Sequence, residues 1–227
     1  MGLVKSHLFH GRLREKDVCI VILFLKMAQT RDILNNACAK VTYTPNIIGR
    51  EKGSTYLRRL LKEVPWQPEV ARGRKVGRKV CAFGDTGLSY RYAKGVKKGL
   101  PWTPLIEELK ALVEDATNEK FNFVLLNLYE TGKDGIGYHP DDTRDSGPNT
   151  TVASFTLGAE RDFLLKPYSA EAAQKGYKET KKVRLAHCSL LCMKGNTQQH
   201  YVHCLPPRPK EMEARVNLTF RQLLKSK

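Results

Sequence analysis

Apolar and polar residues alternate strictly from Arg215 to Arg221, with Val216, Leu218 and Phe220 on one side and Arg215, Asn217, Thr219 and Arg221 on the other. Period two is the mark of a strand with two unlike faces. Earlier in the chain, Leu105, Ile106, Leu109, Leu112 and Val113 recur at helical spacing. This predicts a helix over residues 101–116, with Pro101 and Pro104 in its first turn. Residues 121–129 form a nearly continuous apolar run and predict a buried strand, residues 132–137 a turn, and residues 151–157 and 162–165 further strands. Gly147-Pro148 and Lys166-Pro167 mark breaks. Residues 169–180 are a polar insertion rich in Ala and Lys, and residues 189–193 and 216–220 complete a β-rich C-terminal half.

The polar side of residues 215–221 has two readings. Facing water, Thr and Arg on one side of an antiparallel strand are ordinary. Facing the inside of a barrel or sandwich, two unpaired arginines are costly and require an anionic guest. The planar guanidinium fork grips a carboxylate at two points, which a lysine does not. The two arginines are about 20 Å apart along the backbone, and long side chains let them converge on a small C5 diacid.

His139 and Asp141 stand two residues apart, and His203 follows at a distance. Two imidazoles and one carboxylate form the set that holds one face of a non-haem Fe(II), leaving positions for a 2-oxo acid and O₂. On a strand, residues two apart point the same way, so His139 and Asp141 reach one ion without distorting the backbone. The H-x-D pair by itself is common by chance; the arginine-bearing strand gives it weight.

Taken in order, Asn127-Leu-Tyr129, Gly132-Lys-Asp134-Gly-Ile136, His139-Pro-Asp141-Asp142, residues 154–163, His203-Cys-Leu205-Pro206 and Arg215-Val-Asn217-Leu-Thr-Phe-Arg221 resemble the AlkB family. These are 2-oxoglutarate dioxygenases that demethylate damaged nucleic acid bases. Gly77-Arg78-Lys79, Gly84-Asp85, Gly87-Leu88-Ser89-Tyr90 and Phe121-Asn122-Phe123-Val124 are similar to its nuclear DNA-repair branch. The resemblance covers residues 56–223. It implies His139, Asp141 and His203 as catalytic iron ligands and Fe(II), 2-oxoglutarate and O₂ as cofactors. Arg215 would hold the distal carboxylate of 2-oxoglutarate with help from Tyr129. Arg221 and Asn127 would stand near its iron-chelating end, and Asn217 belongs with them. Tyr92 and His139 would sandwich a flipped base, with Tyr90 lining the pocket; Asp142, Val70 and Arg78 complete the expected substrate contacts. The activity implied couples 2-oxoglutarate decarboxylation to hydroxylation of an N-methyl group and release of formaldehyde, on 1-methyladenine or 3-methylcytosine.

Two departures bear on the substrate. Where the family carries an acidic residue two positions beyond the metal Asp, this chain has Thr143, which leaves the choice between adenine and cytosine lesions open. Where the duplex-repair branch places an aromatic wedge, Val70 is the nearest substitute, and a smaller wedge supports an extruded base less well. Single-stranded DNA or RNA therefore stands beside duplex DNA as partner.

Charge supports a nucleic acid partner. Lys and Arg number 39 against 23 Asp and Glu, a net charge of +16, with a pI near 9.7. The basic residues cluster at 72–79, at Arg91, Lys94, Lys97 and Lys98, and at Lys175, Lys178, Lys181, Lys182 and Arg184. Such clusters are the footprint of phosphate binding, with a membrane surface as the competing acidic partner. The 227 residues and 41% hydrophobic content suit one domain with a core. Strands predominate after one helical layer, which suits a mostly β fold with flanking helices and a double-stranded β-helix (jelly-roll) core. Residues 46–227 are expected to form the dioxygenase domain and residues 1–45 an N-terminal extension. The apolar run at residues 18–25 is too short to span a bilayer. Met1-Gly2 with Ser6 fits a myristoylation pattern, read as a chance match. The six cysteines form no C-x-x-C pair and suit reduced thiols in an intracellular protein. A monomer is expected, in the nucleus rather than the cytoplasm. The competing functions are an RNA demethylase, an oxygenase of the same fold on a substrate other than nucleic acid, and a non-catalytic nucleic-acid-binding module.

Overall fold

The computed structural model describes residues 29–71, 74–92 and 95–224, with the side chains at 71, 74–76 and 92 left aside. The apolar run at 18–25, the residues 2 and 6 of the myristoylation pattern, and Cys19 lie outside the described residues. The strands are β1 (Arg31–Asn36), β2 (Ala39–Thr44), β3 (Gln67–Ala71), β4 (Arg74–Gly84), β5 (Ser89–Tyr92), β6 (Gly95–Lys98), β7 (Phe123–Tyr129), β8 (Ile136–His139), β9 (Val152–Gly158), β10 (Arg161–Pro167), β11 (Lys181–Leu185), β12 (Ser189–Lys194), β13 (Tyr201–Leu205) and β14 (Arg215–Arg221). The helices are α1 (Arg50–Glu63), α2 (Pro104–Thr117), α3 (Ala170–Gln174) and α4 (Thr197–His200).

An eight-stranded sheet runs β1-β2-β12-β9-β14-β7-β4-β3, a four-stranded sheet runs β11-β10-β13-β8, and β5 pairs with β6 as a separate hairpin. Neighbouring strands in both sheets are antiparallel. The mostly β, jelly-roll architecture expected from the strand pattern is present. The large sheet reads with period two. Val124, Leu126 and Leu128 of β7, Ala153, Phe155 and Leu157 of β9, and Val216, Leu218 and Phe220 of β14 join one core with Leu60 of α1 and Leu105, Ile106 and Leu109 of α2. The opposite face meets the small sheet in a second core that includes Tyr129, Phe163, Leu165, Val183, Leu191 and Leu205.

The helix predicted over 101–116 begins at Pro104, with Thr103 as its N-cap accepting from the Ile106 amide at 3.4 Å. Pro101 therefore lies ahead of the helix rather than in its first turn. The polar insertion contains α3, capped by Ser169, whose hydroxyl accepts from the Ala172 amide. The domain boundary expected near residue 45 is displaced toward the N-terminus. Strands β1 and β2 belong to the large sheet, β2 pairing with β12 from Lys40 opposite Lys194 to Thr44 opposite Leu190. Strand β1, RDILNN, carries no alternation, whereas β2, AKVTYT, alternates Ala39, Val41 and Tyr43 with Lys40, Thr42 and Thr44, a six-residue signal that sequence reasoning did not use. Helix α1 carries Gly53 where its backbone passes Cys188, and a Cβ there would collide with the Cys188 Sγ.

Candidate active site

The polar face of β14 looks inward. All seven residues of the strand are buried, and Arg215 and Arg221 are 2% and 1% exposed. Arg215, Asn217, Thr219 and Arg221 line one wall of a narrow cavity of about 40 Å³. Strand β7 contributes Leu125, Asn127 and Tyr129, and the small sheet contributes His139, Phe163, His203 and Leu205. The solvated reading of this face is thereby set aside.

At one end of the cavity His139, Asp141 and His203 bring one ligand atom each to within 4.8 Å of one another. His139 ends β8 directly opposite His203 on β13, and their rings lie 4.4 Å apart. The Nδ1 of His139 stands 2.8 Å from the Gly137 carbonyl. A carbonyl only accepts, so Nδ1 carries the proton and Nε2 keeps its lone pair for a metal. His203 is buried, and burial pushes its imidazole down to about 4, favouring the neutral, ligating form. Asp141 is not on the strand, as strand alternation had suggested; β8 stops at His139 and Pro140 intervenes. Its position is set from outside, by the Gln198 side chain of α4, whose Oε1 accepts from the Asp141 amide at 2.8 Å. Burial alone would raise the Asp141 carboxyl, but Arg221 and the two imidazoles hold it below the usual carboxylate range.

At the other end Arg215 donates to Thr156 Oγ1 at 2.9 Å and lies over the Tyr129 ring, 5.3 Å from its centroid. Burial lowers its guanidinium to about 10, and the Arg161 charge nearby adds to the effect. Its Nε and the Asn127 Oδ1 are buried without a hydrogen-bond partner among the described residues. The unsatisfied Nε–H of a buried cation is the donor that a carboxylate guest completes. The residues thus fit Fe(II) at one end and 2-oxoglutarate between that end and Arg215.

A model of the 2OG-Fe(II) oxygenase superfamily matches residues 40–221. The chain belongs to this superfamily. Its relatives include the Mus musculus DNA oxidative demethylase ALKBH2, 39% identical over 153 residues that cover 67% of this chain and 64% of that protein. The Bos taurus protein of the same name is 36% identical over 225 residues, 98% of this chain and 75% of its own. The Rattus norvegicus alpha-ketoglutarate-dependent dioxygenase alkB homolog 3 is 32% identical over 190 residues, 81% of this chain and 64% of its own. The chain therefore spans just under two thirds of the mouse and rat relatives. The bovine match extends the likeness to nearly the whole chain, well beyond residues 56–223. Among solved structures, OsALKBH1 shares the fold with a TM-score of 0.59 and 19% identity, over 80% of this chain and 97% of that one. The resemblance to AlkB relatives and the iron and 2-oxoglutarate in the superfamily's name agree with the site.

The substrate side of this oxygenase is arranged differently from expectation. Tyr90 is wholly buried and is not a wall of the cavity. Its hydroxyl accepts from the Asp142 amide at 3.1 Å and donates to the Asp142 carbonyl at 3.2 Å, while its ring lies 4.6 Å below the Arg221 guanidinium. Burial raises its phenol well above the ordinary value. Asp142 turns its carboxylate to Arg144, whose Nε lies 3.0 Å away, so it braces the ligand loop. Arg78 is buried at 5% exposure. Val70 is half exposed toward the turn end of the β3–β4 hairpin, where it pairs with Lys75. The Tyr92 backbone closes β5, and its side chain lies outside the described residues.

Several residues of the basic clusters are already paired. Lys79 meets Glu130 at 2.8 Å, Lys97 meets Glu69 at 2.7 Å, Arg91 meets Asp145 at 2.5 Å, and Arg184 meets Glu160 at 3.4 Å. The charge left for phosphates is smaller than the sequence count. No helix among the described residues is long and apolar enough to cross a membrane. Cys38, Cys81, Cys188, Cys192 and Cys204 are buried and unbridged, and burial pushes the thiols of Cys81, Cys188 and Cys192 up to about 11.

Sequence reasoning missed Arg161 and Gln198. Arg161 is 1% exposed, lies 5.9 Å from the Tyr129 centroid, and donates to the carbonyls of Asp134 and Pro206 at 2.7 and 2.8 Å. Both residues sit in short polar stretches without a periodic signal.

Proposed function

We propose that the protein is an oxidative demethylase of N-alkylated DNA bases, of the 1-methyladenine and 3-methylcytosine kind. One observation carries this reading: a buried cavity with two imidazoles and a carboxylate at one end and an uncompensated buried arginine at the other. The name of the ALKBH2 relatives, DNA oxidative demethylase, supports DNA as substrate. Fe(II), 2-oxoglutarate and O₂ supply the oxidising chemistry that hydroxylates the N-methyl group, which departs as formaldehyde while 2-oxoglutarate becomes succinate and CO₂.

The protein's residues bind and orient. His139, Asp141 and His203 hold the metal, and Arg221 keeps Asp141 ionised and aimed. Arg215 grips the distal carboxylate against Tyr129, with Asn127 and Asn217 nearer the metal. Leu125, Ile136, Phe163 and Leu205 keep water from the reacting methyl group. His139 and Tyr92 flank the extruded base, and a cationic methylated ring is favoured by an aromatic face. Val70 stands where a wedge would enter the stack, and its small size favours single-stranded DNA over duplex, with RNA as the variant substrate. The protein acts as a monomer in the nucleus.

Incubation with Fe(II), 2-oxoglutarate and oligonucleotides carrying either lesion, in single-stranded DNA, duplex DNA and RNA, tests the reading by mass spectrometry. Loss of one methylene mass from the base, abolished in His139→Ala, is expected. Succinate without base repair would remove the substrate assignment. No succinate in any arm would leave a nucleic-acid-binding module.

A further inference from the structure

A second group of metal-ligand side chains lies apart from the residues of the cavity. Among the described residues, two sets of His, Cys, Asp or Glu bring their ligand atoms within 4.8 Å of one another: the His139, Asp141 and His203 set, and Cys38, Glu171 and His200. The second set draws on three elements. Cys38 is in the turn between β1 and β2, Glu171 is in the first turn of α3, and His200 ends α4.

Each carrier is fixed by its own hydrogen bonds. The Asn36 Oδ1 accepts from the amides of Cys38 and Ala39, both at 2.9 Å, which shapes the turn and sets the direction of the thiol. Thr197 of α4 accepts from the Lys40 amide at 3.2 Å, which ties that helix to the strand after the turn. The Ser169 hydroxyl caps α3 and lies 2.8 Å from the His200 Nδ1. This contact engages one ring nitrogen and leaves the other, Nε2, facing Glu171, whose Oε2 is 3.8 Å away. A metal-ligating histidine needs this kind of outer partner on its second nitrogen.

We propose that Cys38, Glu171 and His200 form a second metal site, for Zn²⁺. Thiolate, imidazole and carboxylate together suit that ion, which accepts three protein ligands and leaves a fourth position to water. Cys38 is wholly buried and His200 is 8% exposed, whereas Glu171 stands more than half exposed. The ion therefore enters from the Glu171 side, and the thiol loses its proton as it binds. Lys175, 3.7 Å from the Glu171 carboxylate, is the local competitor for that ligand. The site joins α3, α4 and the β1–β2 turn, and α4 is also the helix whose Gln198 holds the Asp141 amide. Zinc here stiffens a support of the catalytic iron ligand without touching the cavity.

Titration of the metal-free full chain with Co²⁺, followed by optical absorption, tests the site. The cavity ligands include no sulfur, so a Co²⁺–thiolate charge-transfer band reports a cysteine ligand regardless of what the cavity binds. One equivalent of band-forming Co²⁺ is expected, bleached by Zn²⁺ and absent in Cys38→Ser. Glu171→Gln, a surface change that leaves the core untouched, and Ser169→Ala should each raise the Co²⁺ concentration needed by roughly tenfold or more. No band in the wild-type chain, a band kept in Cys38→Ser, or a Glu171→Gln titration that overlays the wild type would overturn the proposal.

Discussion

The Arg221 Nη2 lies 3.0 Å from the Asp141 Oδ2, and both side chains are almost fully buried. The final residue of β14 thus holds the carboxylate of the metal set before any ion arrives. Removing one member of a buried ion pair leaves the other uncompensated, at a cost of about 3–5 kcal/mol. Arg221→Leu should lower the urea midpoint of the metal-free protein accordingly, and Mn²⁺ should restore part of the loss by neutralising Asp141. An undiminished loss with metal bound would contradict the pairing.

Arg215 has no carboxylate partner among the described residues, and on the proposed function the co-substrate supplies one. Arg215→Lys keeps the charge and loses the fork, so 2-oxoglutarate binding should weaken by about 1.5–3 kcal/mol, tenfold or more. A 2-oxo monoacid, lacking the distal carboxylate, should be indifferent to the change. Calorimetric titration with both acids under anaerobic conditions separates them.

Gln198 positions the Asp141 backbone and touches no cofactor. Gln198→Ala should lower metal affinity by roughly tenfold to a hundredfold, the range seen when an outer support of a ligand is removed. Its effect on global stability should be about 1 kcal/mol, that of one hydrogen bond. Metal titration alongside thermal melting distinguishes this from general damage.

Asp162, beside the missed Arg161, carries a pH signature. Burial by itself would raise its carboxyl, but the hydrogen bond from Arg208 and the charges of Lys182 and Arg184 hold it below the usual range. A depressed folded value stabilises the protein above the unfolded carboxylate pKa of about 3.9 and is lost as pH falls through the folded one. Asp162→Asn should therefore cost about 1 kcal/mol at neutral pH, kept small because Arg208 and Arg184 are nearly half exposed. The gap from wild type should close below about pH 4. A gap unchanged at pH 3 would assign the loss to something other than charge.

Periodicity carried the parts of the site that lie on regular strands. Arg215 and Arg221 were legible because a whole strand alternates, and the structure turns that polar face inward. Asp141 was legible as a residue and misleading as geometry, since Pro140 breaks the strand that alternation assumed. Tyr90 was read as a wall of the pocket, but burial beneath Arg221 makes it a clamp on the ligand loop. Nothing local marks Arg161 or Gln198, because their roles depend on neighbours 27 and 57 residues away. Strand β2 is fixed in the large sheet by β12, some 150 residues downstream, and β1 only by its neighbour β2.

Among the described strands β14 is the latest to be synthesised, yet it occupies the middle of the large sheet, between β9 and β7. His139, Asp141 and His203 are all synthesised before the strand that carries Arg215 and Arg221. Until β14 inserts, the sheet has a seam at its centre and the nascent chain holds no chamber. On the function proposed above, the chamber for the oxidation is closed only when the last described strand enters the sheet.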